Sequence, residues 1–402
     1  MNAETSTADV RADVLFVCGY YAPALRAGGG ARAIENTVAH LGGRLRFAVL
    51  TRDHDVGEAR PFGDPPSGRW VGREQAAVYY APERELGLRA LLARVREADP
   101  KVIYLNSLFS VLAIRILLLR RWSLLGRRSV VIAPEGELGR GALAIRPLRK
   151  QLYLRLARLT GLYRGVLWRA ASAPEERLVR AWFGDRARVD VVASLSPPLA
   201  AIPATAAVPP RALARRRRGE VELLFVSRIS PKKNLLFLLE ALRGVRARVH
   251  LGIAGPIEDR AYWRRCERAL AALPENVRVT QHGALAAAQV PPLMARYDTM
   301  ALPTLDENYG YVVLEALAAG CHVLLSPHTP WSDLEREGVG QLLEVDDPLR
   351  WGAAIEALAG WSEDDFARCR ERSVAYAWQQ LASDRPAQDL ERLLRDAAAL
   401  AR

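Results

Sequence analysis

Cysteine is scarce in this 402-residue chain: there are four, Cys18, Cys266, Cys321 and Cys369, and none stands at metal-ligand spacing from another. That excludes a disulfide framework or a zinc knuckle as the organising device and leaves reduced, structural thiols. Long apolar runs are missing too, and none approaches the ~20 residues that cross a bilayer. The polar, acid-bearing residues 1–13 lack the charged-then-apolar layout of a secretory signal. These absences lead to the expectation of a cytoplasmic protein, one that could sit at the inner face of the cytoplasmic membrane. Lysine is nearly absent: of 57 cationic Lys and Arg side chains only Lys101, Lys150, Lys232 and Lys233 are lysines. A basic stripe interleaved with aromatics, the mark of a nucleic-acid reader, is not seen, so nucleic acid is not expected as a partner.

What is present is a hydrophobic half and a formal net charge of +12. The charge favours anionic partners, such as phosphorylated ligands or a membrane surface. The length exceeds one ordinary core and implies two domains. Short, mostly apolar runs alternate with helical patterns. Strands are predicted at 14–18, 45–50, 77–80, 102–105, 130–133 and 189–193, and again at 222–226, 248–254, 277–281, 299–302, 322–325 and 341–345. Helices are predicted at 31–41, 83–97, 148–159 and 389–400. Apolar runs of this kind suit parallel strands covered on both faces. The expected fold is α/β, with two Rossmann-like, doubly wound parallel-sheet domains facing a central cleft. Residues 1–200 and 221–380 form the domains, 201–220 a Pro- and Ala-rich linker, and 381–402 a C-terminal helix that could pack back on the first domain. Ligands of such sheets bind outside the carboxyl ends of the strands, where the informative motifs fall.

The first motif runs from Leu305 to Glu315, LDENYGYVVLE. It follows a predicted strand and opens a helix. The amides of Asn308, Tyr309, Gly310 and Tyr311 stand at the helix start, where the dipole favours an anion, and Gly310 allows close backbone approach. Glu307 and Glu315 flank this cluster as acceptors for hydroxyl groups. In the second motif, LFVSRISPKKN from Leu224 to Asn234, a strand ends, Ser230-Pro231 turns, and a helix is predicted near Lys233. Arg228 and Lys233 are candidates to meet a diphosphate in the cleft. Two of the chain's four lysines stand here side by side, and a compact ammonium serving a phosphate is a physical reason to keep them.

The order and spacing of these motifs, followed by ALAAGC from Ala316 to Cys321, resemble the C-terminal domain of family 4 glycosyltransferases of GT-B architecture. The resemblance is strong from about 220 to 345 and weaker before. Arg228 and Lys233 match the family's Arg-x4-Lys pair, and Glu307 and Glu315 its E-x7-E element. The resemblance implies that Arg228 and Lys233 bind the donor diphosphate. It implies that Glu307 with the amides of Asn308, Tyr309 and Gly310 holds the donor sugar, and that Glu315 holds the ribose. The implied enzyme is a retaining, metal-independent hexosyltransferase without a cofactor. Its donor is a UDP- or GDP-linked sugar. Its acceptor is a carbohydrate or lipid-linked molecule in bacterial cell-surface polysaccharide or glycolipid synthesis. The first domain would be the acceptor side and the second the nucleotide-sugar side. Other readings are a nucleotide-sugar epimerase-like enzyme on the same fold, for which no convincing acid/base set is visible, and a basic nucleic-acid-binding protein.

The N-terminal loop YYAPALRAGGGAR, Tyr20 to Arg32, resembles the family's glycine loop, with Gly28 and Gly29 on the donor side and Arg32 a further candidate. The loop APEGELGRGA, Ala133 to Ala142, stands where many members carry a histidine near the reacting sugar. This chain has none there, and Glu135 and Arg140 are the candidates for positioning sugar or acceptor. Gly255 and His282 are candidate nucleobase neighbours. Asp53-His54-Asp55 imitates a metal–diphosphate motif but follows a strand without further carboxylates and is read as a loop. His322, where the family often has proline, is read as a strand residue. Finally, Leu148, Leu152, Leu156, Leu159 and Leu162 recur at helical spacing among Arg149, Lys150, Arg155, Arg158 and Arg164. An ordinary helix with its apolar stripe on the sheet is expected, with peripheral contact to an anionic membrane as the alternative.

Overall fold

The structure, a computed structural model, describes residues 10–24, 26–144, 146–198 and 218–401. The linker expected at 201–220 lies, up to residue 217, outside the described residues. The chain divides into two compact units, one of residues up to Pro198 together with those from Ser383 onward, the other from Leu199 to Ala382.

The first unit runs β1 (Val14–Val17), α1 (Gly29–Leu41), β2 (Phe47–Arg52), β3 (Trp70–Arg73), β4 (Ala76–Ala81), α2 (Leu88–Ala98), β5 (Val102–Asn106), α3 (Val111–Arg121), β6 (Ser129–Ala133), α4 (Arg140–Ala144), α5 (Pro147–Leu159), β7 (Leu167–Ala170), α6 (Ala173–Phe183) and β8 (Arg188–Val191). Its eight strands lie in the order β3-β4-β2-β1-β5-β6-β7-β8. All pair in parallel except β3, which runs antiparallel to β4. The alternation of the pleat divides β1 between two cores: Leu15 and Val17 pack on one face of the sheet, Val14 and Phe16 on the other.

The second unit runs β9 (Glu220–Val226), α7 (Leu235–Leu242), β10 (Arg248–Ala254), α8 (Arg260–Ala271), β11 (Val277–Gly283), α9 (Val290–Met294), β12 (Thr299–Leu302), α10 (Tyr311–Ala318), β13 (His322–Leu325), α11 (Leu334–Glu337), β14 (Gly340–Leu342), α12 (Pro348–Ala359) and α13 (Glu363–Leu381). Its six strands are all parallel, in the order β11-β10-β9-β12-β13-β14. Helix starts carry their own signals: Asp259 and Asp347 accept first-turn amides, and Ser362 with Asp365 closes a reciprocal capping pair. The last helix, α14 (Arg385–Leu400), follows the second unit in sequence but completes the first. Its Leu390, Leu393, Leu394 and Ala397 join Val14, Phe16 and Tyr104 in one core.

Two doubly wound α/β units with mostly parallel sheets are what the alternation predicted. Three expectations are corrected. The first sheet is not purely parallel, because β3 returns as an antiparallel edge. The helix expected at 83–97 is a separate turn, Glu83–Glu85, and then α2 from Leu88, because Gly87 breaks the run in extended backbone. The leucine stripe of α5 does not face the sheet. Leu148, Leu152, Leu156 and Leu159 are exposed, while Leu154 and Ala157 supply the buried contact and Leu162 is buried beyond the helix end. The physical reason is the neighbouring phase of the same helix: Leu154 and Ala157, three apart, form the inward ridge.

Candidate active site

In each sheet the strand order reverses direction once beside the first strand of the unit, between β1 and β5 and between β9 and β12. Crevices for ligands form outside the carboxyl ends of strands at such points. In the second unit, β9 leads into the turn Pro231–Lys233 and β12 into the loop that opens α10. A backbone bond ties these two loops together. The Leu305 amide donates to the Lys232 carbonyl at 2.8 Å, and the buried Thr304 hydroxyl lies 3.2 Å from the same oxygen. The Glu307 amide donates to the His328 carbonyl at 2.8 Å.

That stitching brings Lys233 and Glu307 into a direct ion pair, both largely buried, with 9% and 15% of their side chains exposed. Lys232 and Asp306 pair alongside at 3.2 Å. Burial pushes the Glu307 carboxyl up, but the Lys233 ammonium and its hydrogen bond, with Lys232 and Arg228 beyond, outweigh it and leave the group below its ordinary value. For Asp306 burial wins, and the carboxyl is raised despite Lys232. An ionised carboxylate in this position can accept bonds from hydroxyls, and the ammonium can donate to phosphate oxygens. Arg228 stands outside the buried pair: it is exposed and donates to Glu258 at 2.7 Å.

Gly310 is left-handed (φ 79°) and caps α10 without a side chain. A Cβ here would lie 3.2 Å from Glu307, Val313 and the Trp331 ring nitrogen. That nitrogen donates to the Tyr309 carbonyl at 2.7 Å, and the Tyr309 and Tyr311 rings meet at 4.6 Å. Asn308 and Tyr309 are half-buried in this loop, and Glu315 is half-buried in the second turn of α10. Gly255 (φ 138°) directly follows β10, where a Cβ would fall 1.9 Å from the Ser227 carbonyl oxygen, so the close approach of the segments leaving β9 and β10 requires glycine. His282 bonds the Tyr297 hydroxyl at 2.8 Å, and burial, with Arg296 and His250 nearby, lowers its pKa.

In the first unit Gly28 (φ 72°) caps α1 with no side chain, and Gly29 opens the helix. Asn106, at the end of β5, donates to the Gly30 carbonyl at 2.9 Å. Glu135, left-handed at φ 52° after β6, accepts from Arg169 at 2.8 Å. Arg169 is 3% exposed and also donates to Ser194 at 3.1 Å. Asn106, Glu135 and Arg169 line one small cavity of about 10 Å³. Glu175 anchors the loop, accepting from the amides of Gly136 at 2.6 Å and Ala171 at 2.7 Å. Arg32 is half-buried and its charge acts on Glu35. Arg140 opens α4, and its side chain lies outside the described residues. Asp53 and Asp55 are spent internally: Asp53 accepts from Ser67 at 2.6 Å, and Asp55 from the Val56 amide at 2.6 Å and the Arg26 amide at 3.2 Å. Sequence reasoning singled out neither Arg169 nor the Lys232–Asp306 pair. The second had a signal in the paired lysines, and the first only in an arginine within an apolar run.

Residues 220–360 match the family model of glycosyl transferases group 1. A D-inositol 3-phosphate glycosyltransferase from Geodermatophilus obscurus is 31% identical over 186 residues, 42% of this chain, and the chain spans only 41% of that relative's length. Among solved structures, HepE of Anabaena in complex with UDP and glucose superposes with a TM-score of 0.70 at 19% identity, over 95% of this chain and 99% of that one. Sucrose-phosphate synthase from Thermosynechococcus elongatus gives 0.69 at 18%, over 96% and 99%. WaaG, a glycosyltransferase involved in lipopolysaccharide biosynthesis, gives 0.65 at 14%, over 96% and 99%. The fold is therefore GT-B, and residues 220–360 of the second unit are similar to the group 1 glycosyltransferases.

Proposed function

We propose that the chain is a retaining, metal-independent glycosyltransferase that moves a hexosyl unit from a UDP- or GDP-linked sugar to a carbohydrate or lipid-linked acceptor. The observation that carries this reading is the buried Lys233–Glu307 pair at the switch point between β9 and β12, inside the segment that matches the group 1 model. Lys233 and Arg228 serve the diphosphate. Glu307 and the amides of Asn308, Tyr309 and Gly310 hold the sugar, and Glu315 the ribose. Gly255 and His282 neighbour the base. Gly28 and Gly29 offer the start of α1 to the diphosphate, while Glu135, held by Arg169, with Arg32 and Arg140, positions sugar or acceptor. The bond between the anomeric carbon and the diphosphate breaks as the acceptor oxygen bonds the same face, and the acceptor's proton passes to a departing phosphate oxygen. HepE, in complex with UDP and glucose, supports a UDP-linked donor. A role in cell-surface glycan or glycolipid assembly, at the cytoplasmic face of the membrane, fits a lipid-linked acceptor.

A thermal-shift panel of UDP and GDP sugars without added metal tests the reading. One sugar nucleotide is expected to stabilise the protein, by about 2.7 kcal/mol at a hundredfold excess over Kd. If none shifts the transition and none is turned over, the reading fails. NMR of the product is expected to show the donor's anomeric configuration, and an inverted product would refute retention.

A further inference from the structure

Where β6, β7 and β8 begin, at the edge of the first sheet opposite the glycine loop, lies an open cavity of about 730 Å³. Seven arginines line it and, among the described residues, no acidic side chain does. Arginines at helix C-termini ordinarily neutralise carbonyl ends, and two of the seven do comparable work. Arg120 donates to the carbonyls of Arg164 and Gly165 at 2.7 and 2.8 Å, and Arg128 to the Leu125 carbonyl at 3.0 Å and to Asp99 at 2.6 Å. The other five, Arg121, Arg127, Arg158, Arg164 and Arg188, have no side-chain hydrogen bond or ion pair among the described residues. Five unneutralised guanidinium groups around one cavity repel one another until an anion enters.

An apolar surface runs into the same cavity. Leu159 lines it and ends the stripe of α5, where Leu148, Leu152, Leu156 and Leu159 are 83%, 59%, 50% and 83% exposed. At helical spacing the four fall within roughly 80° of one another. Trp122 and Leu124, exposed on either side of the cavity-lining Ser123, and Leu400 of α14 extend the apolar rim. Exposed Arg149 and Arg155 flank the stripe.

We propose that this face docks on an anionic membrane, with the leucine stripe and Trp122 in the interface and the arginine cavity around the phosphates of phospholipid headgroups. Leucines beside unneutralised arginines suit an interface that is apolar a few ångströms below its charge. Two copies of the same face would bring like charges together, which disfavours a dimer through it. Docking by the strand-start edge leaves the strand-end loops with Gly28 and Glu135 uncovered. The proposal rests on the membrane side of the proposed function and is independent of its chemistry.

Co-sedimentation of the full chain with phosphatidylglycerol–phosphatidylcholine vesicles, against phosphatidylcholine alone, tests it. Binding is expected only to the anionic vesicles and weakens with salt. Each arginine removed in Arg121→Gln, Arg127→Gln and Arg164→Gln is expected to cost roughly fivefold in affinity. The exposed double variant Leu152→Ser, Leu156→Ser is expected to lose tenfold or more. Circular dichroism checks that the variants fold. The proposal is overturned if the wild type ignores anionic vesicles or if folded variants bind as it does. It is also overturned if the leucine variant only converts a dimer to a monomer in sedimentation velocity with vesicle binding unchanged. The nucleotide-sugar panel, run without vesicles, reports separately: donor binding without vesicle binding overturns the docking alone, and the reverse overturns the chemistry alone.

Discussion

Asp306 and Glu307 are adjacent carboxylates facing adjacent lysines, yet their pKa values move apart. Burial raises both, and only at Glu307 does the opposing lysine outweigh it. Glu307 therefore stays ionised at neutral pH, and its contribution to stability is lost as the pH falls below its ordinary 4.5 through the lower folded value. Removing one partner of a buried pair leaves the other charge uncompensated. Lys233→Ala is expected to lower the unfolding free energy of the second unit by roughly 3 kcal/mol. The double variant Lys233→Met, Glu307→Gln is expected to recover much of that loss while binding no sugar nucleotide. Urea unfolding and calorimetric donor titration check this. A Lys233→Ala protein with wild-type stability would show that the pair is not closed in solution, and near-normal turnover in it would sink the assigned role.

At the scale of elements, β13 opens on a buried histidine. His322 is 3% exposed and its Nδ1 has no hydrogen-bond partner. Burial pushes its pKa down to about 4 from 6.5. The unfolded chain takes up a proton first as the pH falls, so stability present above 6.5 is lost between 6.5 and about 4. The expected loss between pH 7 and pH 5 is about 2 kcal/mol. His322→Leu is expected to remove that slope, and denaturant unfolding at both pH values would expose a slope that persists. His322 sits in a strand that was legible from the sequence, because the three apolar residues that follow it, Val323, Leu324 and Leu325, are hard to read otherwise. The strands that escaped reading failed for physical reasons. β3 contains Gly72 and lies at an edge, where one paired side suffices. β7 contains Arg169, a charge inside a sheet whose guanidinium donates to Glu135 and Ser194. The loops that bring Lys233 and Glu307 together were legible because each carries a distinctive motif at the end of a predicted strand. The orientation of α5 was not, since leucines at 148–159 and the pair Leu154 and Ala157 offer two competing apolar phases in one helix.

At the scale of the molecule, the chain builds its first unit from both ends. Residues up to Pro198 form the sheet, the second unit intervenes, and α14 then closes the face of β1 and β5. Leu390, Leu393 and Leu394 are each at most 4% exposed against Phe16, Tyr104 and Val131. Burying each is worth roughly 1.5–3 kcal/mol, so the helix supplies a large part of the stability of a unit to which it contributes few residues. The second unit has its own contiguous core, drawn wholly from residues 221–381. Truncation before Ser383 is therefore expected to unfold the first unit and spare the second. Leu394→Ala alone is expected to cost about 2–5 kcal/mol, confined to the first unit. Hydrogen exchange with peptide resolution reads both outcomes. Protection should collapse in β1, β5 and β6 and persist in β9, β10 and β12. Loss of protection spread equally over both sheets would mean that the units fold as one, whereas retained protection in β1 and β5 would mean that α14 is an appendage and that the first sheet is stable without it.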